Sequence, residues 1–286
     1  MSNAVKTAML LAGLMALLGV IGLALGGTGG LVMALILGGI MNMGAFWFSD
    51  KLALRMAGAR EVSAQEEPRL HAIVAEVARL AGVPKPRVYV VQNESPNAFA
   101  TGRDPKHAVV AATTGIMRIL DERELRAVIG HEIGHVKNRD ILTSSIAATI
   151  AGAISYLGMM FFWFGGMFGG RDRGGGNALV GLLAIIFAPL AAGILQMALS
   201  RTREYAAHKS GAGYTHDPEG LASALAKLHN GVQARPMAQT AGTEATSSLY
   251  IVHPFAGGGI GNLFSTHPPI EERIRRLRSM RYENPL

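Results

Sequence analysis

The chain has 286 residues, 49% of them hydrophobic, a formal net charge of +7 and no cysteine. Without cysteine there are no disulfides and no thiolate ligands, so any metal has to be held by histidine and carboxylate. The positive excess sits largely beside long uncharged tracts, with no stripe of Lys and Arg interleaved with aromatics, so membrane topology accounts for it and no nucleic-acid partner is expected.

No charged residue occurs from Thr7 to Ser49, and Gly26-Gly27-Thr28-Gly29-Gly30 interrupts that tract midway. A crossing needs ~20 apolar residues, so residues 1–50 are expected to form a transmembrane helical hairpin. A cleaved signal peptide would carry an apolar core of only ~7 to 15 residues. Residues 51–140 read as a soluble catalytic part. Within it, Leu70, Ile73, Val74, Val77 and Leu80 have the spacing of an amphipathic helix over Glu67 to Ala81, which Gly82, Pro84 and Pro86 stop. Arg87 to Gln92 is dense in β-branched and aromatic residues and reads as a strand. "NESPNAFATG" turns and extends, and "HAVVAATTGIM" reads as a further strand. The next helix begins at Asp121 with Glu124 three residues on, the spacing of a capping box.

Uncharged tracts from Ile141 to Gly170 and from Gly174 to Ser200 predict a second transmembrane hairpin, residues 141–200, giving four crossings. Residues 201–286 return to soluble character. Helices are expected over Arg201 to Gly211 and Leu221 to Leu228, a long mobile loop over Gln233 to Gly261, and a terminal helix in "HPPIEERIRRLRSM". Lys51, Arg55, Arg60, Lys137, Arg139, Arg201, Arg203 and Lys209 flank the crossings on one side, against only Arg171 and Arg173 on the other. Positive flanks face the cytoplasm, and so do both soluble regions.

His131, Glu132 and His135 form H-E-x-x-H. Residues four apart share one helical face, so both imidazoles reach one ion while the glutamate is placed to take a proton from water. Two histidines leave the site incomplete, and a third ligand is best sought in "SRTREYAAHKSGA", where Glu204 follows the fourth crossing as His135 precedes the third. At about 1.5 Å of rise per helical residue the ion would sit within roughly 10 Å of the hydrocarbon edge. The membrane hairpin would then be the scaffold that returns Glu204 to the histidines.

H-E-x-G-H-x-x-N-R-D, two apolar segments and S-R-x-R-E-[FY]-x-A, together with "SPNAFATG" and "STHPPIEERI", resemble the HtpX-type membrane zinc endopeptidases, relatives of the CAAX prenyl proteases. The resemblance covers nearly the whole chain. It implies a mainly α fold with a small β-sheet: a four-helix transmembrane region plus a cytoplasmic zincin-like (gluzincin) α+β catalytic domain. It assigns His131, His135 and Glu204 to one Zn2+ per chain and Glu132 to general base. It also implies cleavage of damaged or misfolded membrane proteins at the cytoplasmic face of a bacterial-type inner membrane. Asn97, Ala98 and Phe99 resemble the edge-strand motif along which zinc peptidases lay an extended substrate.

One position departs from the family pattern: relatives usually carry aspartate four residues after the glutamate ligand, and here it is His208. An aspartate there would orient a ligand imidazole, a contact whose loss typically costs ~10 to 100-fold in metal affinity or activity. Asp140 either orients a ligand or caps a turn. His267, before Pro268 and Pro269, is a candidate oxyanion donor, with Arg203 competing for that role. The alternative to an active peptidase is a catalytically impaired membrane scaffold with a structural metal site, a reading that His208 favours. Nothing in the residues indicates the oligomeric state.

Overall fold

The computed structural model describes residues 3–142, 144, 146, 201–255 and 268–280. Helix α1 (Asn3–Met56) is one helical run in which Gly27 takes a φ of 58°, a left-handed value that glycine adopts without a Cβ penalty. A Cβ built on Gly19 would lie 3.3 Å from Leu31 Cδ1 and 3.6 Å from Leu35 Cδ2. On a straight helix Gly19 and Leu31 would be about 18 Å apart, so the run doubles back at Gly27. Met15, Ala16, Gly19 and Leu23 of one arm and Leu31 and Leu35 of the other line a shared open cleft of about 270 Å³. Between Leu31 and Met43 the described exposed side chains of the second arm are apolar, among them Val32, Met33, Ile36, Ile40 and Met43. Among the described residues no helix is long and apolar enough to cross a membrane. The expected third and fourth crossings fall almost wholly outside the described residues.

A small mixed sheet follows, made of β1 (Ala59–Glu61), β2 (Arg87–Val91), β3 (Ala98–Thr101) and β4 (Val109–Thr113) in the order β1-β2-β4-β3. β2 and β4 are parallel, and β1 and β3 flank them antiparallel. "HAVVAATTGIM" divides: its first half is β4, and Thr113 turns the rest into α3 (Thr114–Ile119) by accepting from the Ile116 amide through its side chain. That cap satisfies a first-turn donor, so a helix starts where the β-branched run continues.

Around the sheet lie α2 (Pro68–Ala81), α4 (Glu122–Lys137), α5 (Arg201–Thr215), α6 (Pro218–Ala234), α7 (Ala241–Thr246) and α8 (Ile270–Ser279). α5 and α6 run longer than their apolar spacing suggested. Of the expected 233–261 loop, residues 256–261 lie outside the described residues, and the described 233–255 stretch differs from a loop. It contains the end of α6, all of α7 and a 3₁₀ turn at Ser247–Leu249, and then lays Tyr250, Ile251 and Val252 into the interior.

One buried cluster joins Leu70, Val74 and Val77 of α2, Val88 and Val110 of the sheet, Val128, Ile129 and Ile133 of α4, Leu221 and Leu225 of α6, and Leu277 of α8. Residues 62–141 and 212–277, separated in sequence, therefore share one core. Glu124 reinforces this. Besides closing the capping box with Asp121, its carboxylate accepts from Ser223 Oγ and Lys227 Nζ, each at 2.7 Å, tying α6 to the start of α4.

Candidate metal centre

α4 and α5 cross almost backbone to backbone. A Cβ on Gly211 would lie 2.6 Å from the His131 amide nitrogen, and one on Gly134 would lie 3.0 Å from the Ala207 carbonyl oxygen. Hydrogen in place of a side chain at these positions lets α5 approach the histidine face of α4 and brings Glu204 to it.

His131 Nε2 and His135 Nε2 are 3.2 Å apart, Glu204 Oε1 is 3.3 Å from His131 Nε2, and Glu204 Oε2 is 3.6 Å from His135 Nε2. One ligand atom from each of the three lies within 4.8 Å of the others. Ligands about 2.0–2.1 Å from a tetrahedral ion stand about 3.3 Å from one another, so the donor triangle has the size such an ion requires. Two imidazoles and a carboxylate, with one position left over, are the donor set of a catalytic centre rather than a closed structural one.

The end of α4 positions the second histidine. Arg139 takes a φ of 59°, its amide donates to Val136 O, and the Asp140 amide donates to His135 O. These paired bonds are a Schellman closure, usually made with glycine in the left-handed position. They turn the chain back on the helix, so that Asp140 Oδ2 comes within 2.9 Å of His135 Nδ1. The Nδ1 proton is held there and Nε2 is left facing the triangle. Asp140 thus contacts one of the two candidate ligand imidazoles.

Burial and charge set the protonation states. Burial drives His131 well below its ordinary value, with Glu204 opposing. Burial also disfavours charge on His135, but the Asp140 and Glu204 carboxylates override it and push this group up to about 10. A proton on His135 therefore offsets the two carboxylates, and a cation in the triangle would displace it. Burial pushes the Glu132 carboxyl up to about 7, opposed chiefly by charged His135, and the Ala100 amide donates to it.

His208 is fully buried and faces Glu204 and α8 rather than a ligand's Nδ1. Its Nε2 lies 3.4 Å from Glu204 Oε1 and accepts from Arg273 Nε at 3.2 Å. Burial lowers it to about 4, leaving it neutral and able to accept. Arg273, 1% exposed, is the participant that sequence reasoning missed. Its Nη2 is 2.6 Å from Glu204 Oε1, close but outside hydrogen-bond alignment, and its Nη1 donates to Ile251 O at 2.6 Å. A signal was available: Ile270, Arg273, Ile274 and Leu277 share the buried stripe of α8, and an arginine in such a stripe needs buried partners. Arg203 is also buried, and its guanidinium has no hydrogen-bond partner among the described residues. Asp140 and Glu204 are near enough to act on its charge. His267 lies outside the described residues.

The structure places the expected substrate edge, Asn97 to Phe99, against another part of the chain. Asn97 O accepts from the Thr113 amide, so backbone groups of Asn97 and Phe99 face β4, and those of Ala98 and Ala100 face outward. Ala98 O is taken by the Ile251 amide at 3.0 Å, Asn97 Nδ2 donates to Val252 O, and the Phe99 ring packs edge-on against Tyr250 at 5.1 Å. Asn97, Ala98 and Phe99 are all fully buried beneath the chain's own 250–252 segment. The backbone that reaches the candidate centre is that of Ala100.

Residues 64–281 match the model of peptidase family M48. The chain belongs to peptidase family M48. The family is one of metalloproteases, and the donor triangle lies inside the matched region. Within M48, the chain is 50% identical over 282 residues to a protease HtpX homolog of Burkholderia ambifaria (strain MC40-6), covering 98% of each chain. It is 51% identical over 284 residues to one of Bifidobacterium longum (strain NCC 2705), covering 98% of this chain and 93% of that one. The fold of this M48 chain is similar to the crystal structure of S. mikatae Ste24p, with a TM-score of 0.51 at 16% identity. That likeness covers 96% of this chain, which spans 64% of Ste24p.

Proposed function

We propose that the chain is a membrane-embedded zinc endopeptidase that hydrolyses damaged or misfolded membrane proteins at the cytoplasmic face of the inner membrane. The observation that carries the reading is the convergence of His131 Nε2, His135 Nε2 and the Glu204 carboxylate into a triangle of tetrahedral size, next to buried Glu132. The membrane part rests on the uncharged Thr7–Ser49 tract, the apolar outward face of α1 and the basic residues beside the uncharged tracts.

His131, His135 and Glu204 would hold one Zn2+, with Asp140 keeping His135 in the Nε2-ligating tautomer. When bound, the ion supplies Lewis acidity, lowering the pKa of a water toward ~7 and polarising a peptide carbonyl. Glu132, held by the Ala100 amide, takes the proton of the attacking water and delivers it to the leaving amine. An extended substrate meets the outer side of β3 at Ala100, whose carbonyl accepts a backbone bond that does not depend on the substrate's side chains. Arg203 and His267 are the candidate donors to the oxyanion, and Arg203 has buried guanidinium hydrogens in the neighbourhood to serve.

The scaffold alternative drew on His208. A neutral His208 bonded to Arg273 leaves the donor triangle intact, so nothing in the site favours an impaired centre. The test is metal content and cleavage of an unfolded protein by the purified chain and its Glu132→Gln variant. Equal zinc in both, with cleavage by the parent alone, is the expected result. Absence of zinc, or equal cleavage by both, overturns the reading.

A further inference from the structure

Along the exposed side of α1, Met43, Trp47, Lys51 and Arg55 follow one another at four-residue spacing, so they form one stripe that passes from apolar through aromatic to basic. Met43 is 67% and Trp47 49% exposed, and the neighbouring Phe48 is 58% exposed. Buried Asp50, Ala53 and Leu54 occupy the opposite side. This order is that of a helix leaving a bilayer, with the aromatic at headgroup level and the cations just beyond it.

A second element reaches the same level from far along the chain. Arg103, in the turn between β3 and β4, places its guanidinium 5.0 Å from the Trp47 ring centre, and Lys51 Nζ lies 5.7 Å from that of Phe48. The turn is rigidly built. Asp104 Oδ1 accepts from the amides of Lys106 and His107, and a Cβ on Gly102 would come within 2.5 Å of His107 O. Arg103 Nη2 meets His107 Nε2 at 2.8 Å and its Nε stands 3.7 Å from Asp104. Asp104 is the one carboxylate of the turn, set against Arg103 and Lys106, and Lys51 and Arg55 add two further cations on the stripe. Asp50, the acid beside Lys51, is buried and faces Arg87 at 4.0 Å.

We propose that Trp47, Lys51, Arg55, Arg103 and Lys106 form a binding site for the phosphate headgroups of anionic lipids. The inference rests on the membrane reading above. The aromatic ring fixes the depth, and the guanidinium held over it is presented to the headgroup layer. Because the turn begins where β3 ends, the site anchors to the bilayer surface the strand whose Ala100 amide holds Glu132.

The test uses the full chain carrying Trp163→Phe, which leaves Trp47 as the single tryptophan, reconstituted in phosphatidylcholine bilayers containing a small fraction of brominated lipid. Brominated phosphatidylglycerol should quench Trp47 as though enriched about fivefold over brominated phosphatidylcholine at the same fraction. The excess should vanish in Arg103→Gln and at 1 M salt, where screening acts within ~3 Å, and shrink in Lys51→Gln. Retained cleavage of an unfolded protein in detergent shows that Arg103→Gln still folds. Equal quenching by the two lipids overturns the headgroup site and leaves the membrane reading standing. No quenching by either places Trp47 away from the bilayer and overturns both. Loss of the excess on adding inorganic phosphate at matched ionic strength would mark a soluble-anion pocket and also overturn the proposal.

Discussion

Asp140 Oδ2 stands 2.9 Å from His135 Nδ1, five residues along the chain, because Arg139 between the histidine helix and the aspartate adopts a left-handed conformation. The Asp140 carboxylate both orients the ring and raises the basicity of its free nitrogen. Asp140→Ala should weaken zinc binding ~10 to 100-fold, measured by competition with a chromogenic chelator. Unaltered affinity would show that the ring is oriented by its packing alone.

Arg273 is shared between Glu204 and His208. An aspartate at position 208 would give the guanidinium a carboxylate partner of its own and leave Glu204 Oε1 less engaged. His208→Asp is therefore expected to bind zinc more tightly, and chelator competition with parent and variant side by side checks it. No change would mean that Arg273 does not compete for the ligand carboxylate.

Gly211 faces the His131 backbone so closely that a Cβ would lie 2.6 Å from its amide nitrogen. Gly211→Ala has to separate α4 from α5, which costs about 1–3 kcal/mol of stability and moves Glu204 away from His131. The melting temperature and the zinc content should fall together. A variant with parent zinc content and parent stability would contradict this packing account.

Glu132 should make the metal-free protein less stable at neutral pH than at pH 4. Burial raises its folded value from 4.5 to about 7, so the folded state holds its proton more firmly than the unfolded chain. The associated stability is complete below about 4.5 and is lost as pH rises to about 7. Glu132→Gln has the same shape and no charge to desolvate. In the presence of chelator it should melt higher than the parent at pH 8, by an amount on the order of 3 kcal/mol or less, and lose that advantage near pH 4. Superimposable melting curves at pH 8 would show that the buried charge is relieved by other groups.

Local signals carried the catalytic core of the reading. The capping box at Asp121 and Glu124 and the four-residue spacing of His131 and His135 are properties of a single helix, and both are present in α4. The amphipathic spacing of α2 and the β-branched run of β2 are equally local. β1 escaped notice because three residues hold no periodicity. The segment at 250–252 escaped for a different reason. It is held by Asn97 and Ala98, more than a hundred and fifty residues away, and its Ala- and Ser-rich approach looked like solvent-exposed chain.

What the residues specify unaided is chemistry within reach of one helical turn: which imidazoles share a face, which glutamate stands beside them, and which stretches avoid charge. Where Asp140 points was decided by the left-handed turn at Arg139, whereas how Arg273 divides itself between two neighbours and which part of β3 stays open depended on packing between distant segments. Those contacts join α4, α5, α8 and the 250–252 segment, whose approach is governed by the volume at Gly134 and Gly211 and by the need of a buried guanidinium for partners. The first condition leaves no trace in the spacing of any one segment, and the second shows only as an arginine set in the apolar stripe of α8.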